Sequence, residues 1–230
     1  YLTAIRAAVN LTDFEPDNTE LRERMLHTIL DQVNRAADLV KRLHDFSRGQ
    51  DAQSVARFDL SAAVRHAAPV LKLMLAGHDF VVDASEPLLV DNDPGALFQV
   101  LSNLVINAGE AIPKRGLVKV TTRRAPRPAR AAALADAPDE WAALTVTDDG
   151  SGMSADVAQH VFEPYFTTKK AAGGTGLGLT TVHRLVAASG GVIDVESQPG
   201  AGTTFTVCWP IASGDAPAPR MPQVTDEVVP

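Results

Sequence analysis

From Glu20 to about Arg48 apolar residues recur every three or four positions, at Leu21, Met25, Ile29, Val33, Ala36, Val40 and Leu43. The spacing predicts a single stripe along a helix of roughly 28 residues, a rod about 42 Å long. Lys, Arg, Asp and Glu fill its other faces, so the stripe needs helical partners, in a bundle or a two-chain coiled coil. Tyr1 to Leu11 repeats the pattern with Leu2, Ile5 and Val9, and Thr12–Asn18 reads as the turn between antiparallel arms. The first arm would cover only about 16 Å of a partner about 42 Å long. The hairpin is therefore expected to continue upstream of Tyr1, the chain being read as part of something longer.

After the polar stretch Gly49–Ala56 the pattern changes, and a second domain is expected from near Phe58. Ser61 is expected to cap a helix running to about Ala76, and Asp93-Pro94 opens another through Ile112, with Pro where a missing N–H costs nothing. Period-two and β-branched runs predict strands at His78–Asp83, Leu88–Val90, Leu117–Arg124, Ala142–Thr147, Val192–Ser197 and Thr203–Trp209. Ala125–Pro138 reads as a loop or hairpin extension, and Leu177–Ser189 as a helix. The fold class expected is α+β: a helical hairpin over 1–50, an α/β sandwich with a mixed sheet over 57–211, and a flexible tail or linker over 212–230.

Composition narrows the function. Lys+Arg 21 against Asp+Glu 28 leaves a net charge of −7, the wrong sign for a phosphate-backbone binder, and aromatics are 5%. No nucleic-acid partner is expected, and any anion must be held locally by backbone N–H groups, a helix end or a metal. The single cysteine, Cys208, excludes an internal disulfide and fits a reducing, cytoplasmic compartment. No run approaches the ~18 apolar residues of a membrane span, so no membrane contact is expected.

Four islands carry candidate chemistry. Asn103 and Asn107, with Glu110 beyond them, share one helix face; an amide oxygen is a hard neutral ligand suited to Mg²⁺, though capping or exposed amides are the alternative. Asp148-Asp149-Gly150-Ser151-Gly152 ends a strand in a carboxylate able to accept from an adenine amine, with glycines where a flat base would approach; it also spells an ordinary turn. Gly173-Gly174-Thr175-Gly176-Leu177-Gly178-Leu179 runs a Gly-rich backbone into a helix N-terminus, an anion site of neither Walker nor dinucleotide pattern. Before it, Phe162–Lys170 resembles a mobile lid, Lys169 being a phosphate contact or a solvated charge. Gly200–Phe205 places the Thr203 hydroxyl near Asp148 or a water beside the base.

In this order the islands resemble the GHKL ATP-binding domain of sensor histidine kinases, from about Phe58 to Pro210. The resemblance rests on the asparagine box, D-x-G-x-G, F-E-P-Y-F-T-T-K, G-T-G-L-G-L and G-x-G-T-T-F. It implies ATP and Mg²⁺ as cofactors and Asn107 as the Mg²⁺ ligand. It implies that Asp148 contacts the adenine amine, that Gly150 and Gly152 shape the base pocket, and that Gly174, Thr175, Gly176, Leu177 and Gly178 hold the triphosphate. The hairpin is similar to the dimerisation and phosphotransfer domain of these kinases. That likeness implies a homodimer and relay from a phosphohistidine to an aspartate of a response regulator receiver domain.

In the family subgroup with this lid, H-D-F-N-N directly precedes an L-T-A-I segment, so the phosphoacceptor is expected just upstream of Tyr1. His27 and His44 are weaker candidates. Gyrase-like hydrolases carry a carboxylate general base where this sequence has Asn103, which predicts slow hydrolysis. A GHKL-type ATPase and a dimeric scaffold that binds ATP without autokinase activity are the competing readings.

Overall fold

In the computed structural model the described residues are 18, 23, 25–29, 55–75, 77–131, 138–169 and 174–212. Their regular elements are β1 (Ala56–Asp59), α1 (Leu60–Met74), β2 (Asp79–Asp83), β3 (Leu89–Asn92), α2 (Pro94–Ala111) and β4 (Leu117–Pro126). A 3-10 turn at Ala129–Ala131 follows, then β5 (Glu140–Asp148), α3 (Ala155–His160), α4 (Gly178–Ala188), β6 (Val192–Ser197) and β7 (Thr203–Pro210). Contacts divide the chain into Tyr1–Gln53 and Ser54–Pro230. In the first unit residues 25–29 are helical; the rest of the expected hairpin, and the tail from 213, lie outside the described residues.

Period-two alternation builds a five-stranded sheet in the order β2-β4-β5-β7-β6, parallel between β2 and β4 and antiparallel elsewhere. Val118, Val120, Ala142, Leu144, Val146, Phe205, Val207 and Trp209 point to one face and meet the apolar stripes of α1, α2 and α4 there. The largest of these side chains are removed from water entirely, Leu60, Leu71, Leu104 and Leu144 among them at 0% exposure; each contributes roughly 1.5–3 kcal/mol of transfer free energy. On the opposite face the chain between β4 and β5 folds back, so that Ala131 buries against Trp141, Ala143 and Cys208. Trp141 Nε1 donates to Pro138 O at 2.7 Å, and burial pushes the Cys208 thiol up to about 11. Cys208 is thus an inert packing residue.

The cap of α1 is Asp59, not Ser61. The Asp59 carboxylate accepts from Ser61 N–H at 3.0 Å and from Leu88 N–H at 3.0 Å, tying the helix start to the chain entering β3. Ser61 instead turns its hydroxyl inward to Thr122 Oγ1 at 2.6 Å. The strand β1 is an addition to the expected elements: four residues paired antiparallel with β3, with the Arg57 guanidinium bidentate on Asp91 across the register. Asp93 caps α2 as its sequence requires, accepting from Gly95 N–H at 2.7 Å with Pro94 in the first turn. Ile112, held extended before Pro113, ends α2. No helix among the described residues is long and apolar enough to cross a membrane.

Candidate nucleotide site

The C-terminal half of α2 is the spine of the site. Asn103, Asn107 and Glu110 fall one turn apart on one face, the amides half-buried and the carboxylate exposed. The first residue of α4 abuts both amides: a Cβ on Gly178 would lie 3.7 Å from Asn103 Oδ1 and 3.9 Å from Asn107 Nδ2. Neither amide has a hydrogen-bond partner among the described residues.

The helix they face is also unlike the others. Asp59, Asp93 and Ser154 cap α1, α2 and α3 with side-chain oxygens, whereas Leu177 gives α4 no side-chain cap. Among the described residues no side chain caps its first-turn N–H groups or its positive end. Asn103 presents its amide oxygen to this helix end and Asn107 its Nδ2, so an oxygen of Asn107 reaches a cation here after a turn of its amide. No group of three or more His, Cys, Asp and Glu among the described residues offers a metal cage.

The second cluster lies just beyond, where Ser151 N–H donates to Ala111 O at 2.9 Å. Asp148, the last residue of β5, is 4% exposed. Gly150 N–H donates to its carboxylate at 2.9 Å. Burial pushes the Asp148 carboxyl above its ordinary value, and the neighbouring backbone N–H groups of Gly150 and Thr203 oppose the shift. Asp149 is structural: its carboxylate accepts Leu117 N–H at 2.8 Å at the start of β4. Thr203 reaches Asp148 through its backbone; its hydroxyl bonds Ser197 Oγ at 3.0 Å rather than the carboxylate.

Both glycines are required by the close approach of the protein's own backbone. A Cβ on Gly150 would stand 2.6 Å from Ala111 O, and one on Gly152, where φ is +62°, only 1.9 Å from Gln198 O. Gly152→Ala is therefore expected to cost about 3 kcal/mol or more and to lower Tm by on the order of 10 °C. A thermal melt checks it, and an unchanged Tm contradicts the packing described.

The Gly-rich segment is fastened to the lid root. Gly176, at φ +67°, leaves room for Tyr165, whose backbone a Cβ would meet at 2.4 Å; Tyr165 N–H donates to Gly176 O at 3.1 Å. Tyr165 itself has φ 65° with a side chain 71% exposed, a strained conformation for a residue with a Cβ. Phe162 packs against the core and edge-on to Phe205. Lys169 closes the root: its N–H donates to Thr167 Oγ1 at 3.0 Å, its carbonyl accepts Gly174 N–H at 3.0 Å, and its ammonium pairs with Glu110 at 3.0 Å. Lys170 and Gly173 lie outside the described residues. Thr175 Oγ1 accepts Leu177 N–H at 3.4 Å just before α4.

The candidate residues thus follow α2 in order: Asn103 and Asn107 beside Gly178, Lys169 on Glu110 one turn further, and Asp148, Gly150, Gly152 and Thr203 beyond Ala111. The first has two amides beside a helix start without a side-chain cap, the last a buried carboxylate. Residues 92–213 match the family described as histidine kinase-, DNA gyrase B-, and HSP90-like ATPase, and the chain belongs to it.

Among curated relatives, the chain is 38% identical over 190 residues to sensor kinase CckA of Brucella abortus (strain 2308), covering 79% of this chain and 20% of that protein. It is 42% identical over 122 residues to sensor histidine kinase ZraS of Escherichia coli (strain K12), covering 53% of this chain and 23% of that one. The chain therefore spans about a fifth to a quarter of these relatives. Among solved structures it resembles the mycobacterial sensor histidine kinase MprB at TM-score 0.55 and 25% identity, over 68% of this chain and 97% of that one. It also resembles full-length ShkA in complex with AMPPNP at TM-score 0.62 and 25% identity, over 86% of this chain and 40% of that one.

Proposed function

We propose that this chain is the catalytic, ATP-binding part of a two-component histidine kinase. It transfers the γ-phosphoryl group of ATP to a histidine ring nitrogen, for relay to an aspartate of a response regulator receiver domain. The observation that carries the reading is the pair of amides, Asn103 and Asn107, without partners among the described residues and set against the start of α4, which has no side-chain cap. Asn107 would hold Mg²⁺ through its amide oxygen, and the ion would supply neutralisation of phosphate charge. Backbone N–H groups of Gly174–Gly178 orient the triphosphate, and Asp148 accepts from the adenine amine. Asn103 cannot take a proton from water, which favours transfer to a histidine over hydrolysis.

The relatives named as sensor kinases support the same reading. The ATP-using part works in the cytoplasm, as a homodimer through the helical segment. His27 is exposed on the helical residues 25–29 and His44 lies outside the described residues; the phosphoacceptor is assigned to neither but to a histidine preceding Tyr1. The test is incubation with γ-labelled ATP of this chain and of a version extended upstream by one helix. Acid-labile label on the extended chain alone is the expected result. Label on this chain moves the acceptor to His27 or His44; no label on either contradicts the kinase reading.

A further inference from the structure

We propose that Glu110 is a positioning residue for the triphosphate: it holds the Lys169 ammonium over the phosphate end of the site and is itself neutralised by it. The inference rests on the reading of the nucleotide site given above. Glu110 continues the face of Asn103 and Asn107 by one helical turn, so its carboxylate stands between those amides and the Asp148 cluster held at Ala111, along the path proposed for the nucleotide. An unpaired carboxylate there would repel a polyanion. Lys169 Nζ lies 3.0 Å from Glu110 Oε2, and the Lys169 backbone is fixed by Thr167 and Gly174. The same ammonium acts electrostatically on Asp148, so it overlooks both ends of the pocket.

Both partners are substantially exposed, 37% and 56%, and an exposed pair adds little to folding stability. Stability alone therefore gives the pairing little to do. Its consequence is for the ligand: an ammonium has three donors, and one carboxylate contact leaves two for phosphate oxygens while limiting the rotamers of a flexible side chain.

The test compares Mg-ATP, Mg-ADP and adenosine binding by calorimetry for the wild-type chain, Glu110→Gln, Glu110→Asp, Lys169→Gln and the double variant Glu110→Gln/Lys169→Gln, with a thermal melt of each. Lys169→Gln is expected to weaken Mg-ATP about 30-fold, because it removes a cation and uncovers a carboxylate. The double variant is expected to bind Mg-ATP more tightly than Lys169→Gln alone. Glu110→Gln is expected to lose about 5-fold for Mg-ATP with adenosine unchanged, and Glu110→Asp to recover part of that loss; Tm moves little in any variant. Equal losses for all three ligands, additive effects in the double variant, or tighter Mg-ATP binding by Glu110→Gln would overturn the proposal. If the wild-type chain binds no nucleotide, it is the underlying site reading that fails.

Discussion

Asp148→Asn is expected to weaken adenine-nucleotide binding by about 100-fold while leaving the fold in place. The carboxylate is the one buried acid among the described residues and already accepts the Gly150 N–H. An amide in its stead presents an NH₂ either to that N–H donor or to the adenine amine it is proposed to meet, so one donor meets another.

Folding responds differently, because burial has raised the carboxyl above its ordinary value. The ionised form is thus less favoured in the fold than in the unfolded chain, and its share of stability declines as pH rises through the folded value. Removing the charge therefore offsets part of the lost hydrogen bonding, and Tm shifts by only a few degrees. In the wild type, nucleotide affinity falls as pH falls toward that raised value, above 3.8, because protonation places a hydrogen where the amine donates. In Asp148→Asn this acid limb is absent. Calorimetry against pH measures both effects, and parallel loss of Tm and binding would mean that Asp148 is structural only.

Asn107→Ala is expected to abolish the Mg²⁺ dependence of nucleotide binding and to reduce phosphoryl transfer by about 100-fold or more. The amide is half-buried, one turn from Asn103 and against Gly178. Alanine keeps the helix and removes the oxygen, so folding is little affected. The discriminating readout is binding of ATP with Mg²⁺ and with a chelator. In the wild type the two differ, and in the variant they converge on the weaker value. A variant that still responds fully to Mg²⁺ would remove Asn107 from the cation site.

How much of this was readable in the sequence follows from range along the chain. The sandwich was legible because α1, α2, α4 and the long strands each carry their own period, and the Asp93-Pro94 start of α2 is local chemistry. The strand β1 was not, since four residues carry too little alternation and its partner β3 begins thirty residues away. Nor was α3, whose six residues are under two turns. Ser61 was read as a cap because it precedes an apolar run, but Asp59 competes for the same N–H and also reaches Leu88 N–H.

At the site, Asn103, Asn107, Asp148 and the Gly-rich segment were legible as motifs. Glu110 was visible in its motif without a role, because its partner Lys169 is 59 positions on. The packing of Gly150 and Gly152 against the backbone of Ala111 and Gln198 is not legible in the motif, because tertiary contacts bring those neighbours in.

The most direct test of the central claim is calorimetric titration of this chain with Mg-ATP, with Asp148→Asn as the comparison. The account predicts one-to-one binding in the range of about 1–100 μM, weakened strongly in the variant and by omission of Mg²⁺. Absence of binding by a folded wild-type chain, or equal binding by the variant, would contradict the nucleotide site built on α2, β5 and α4.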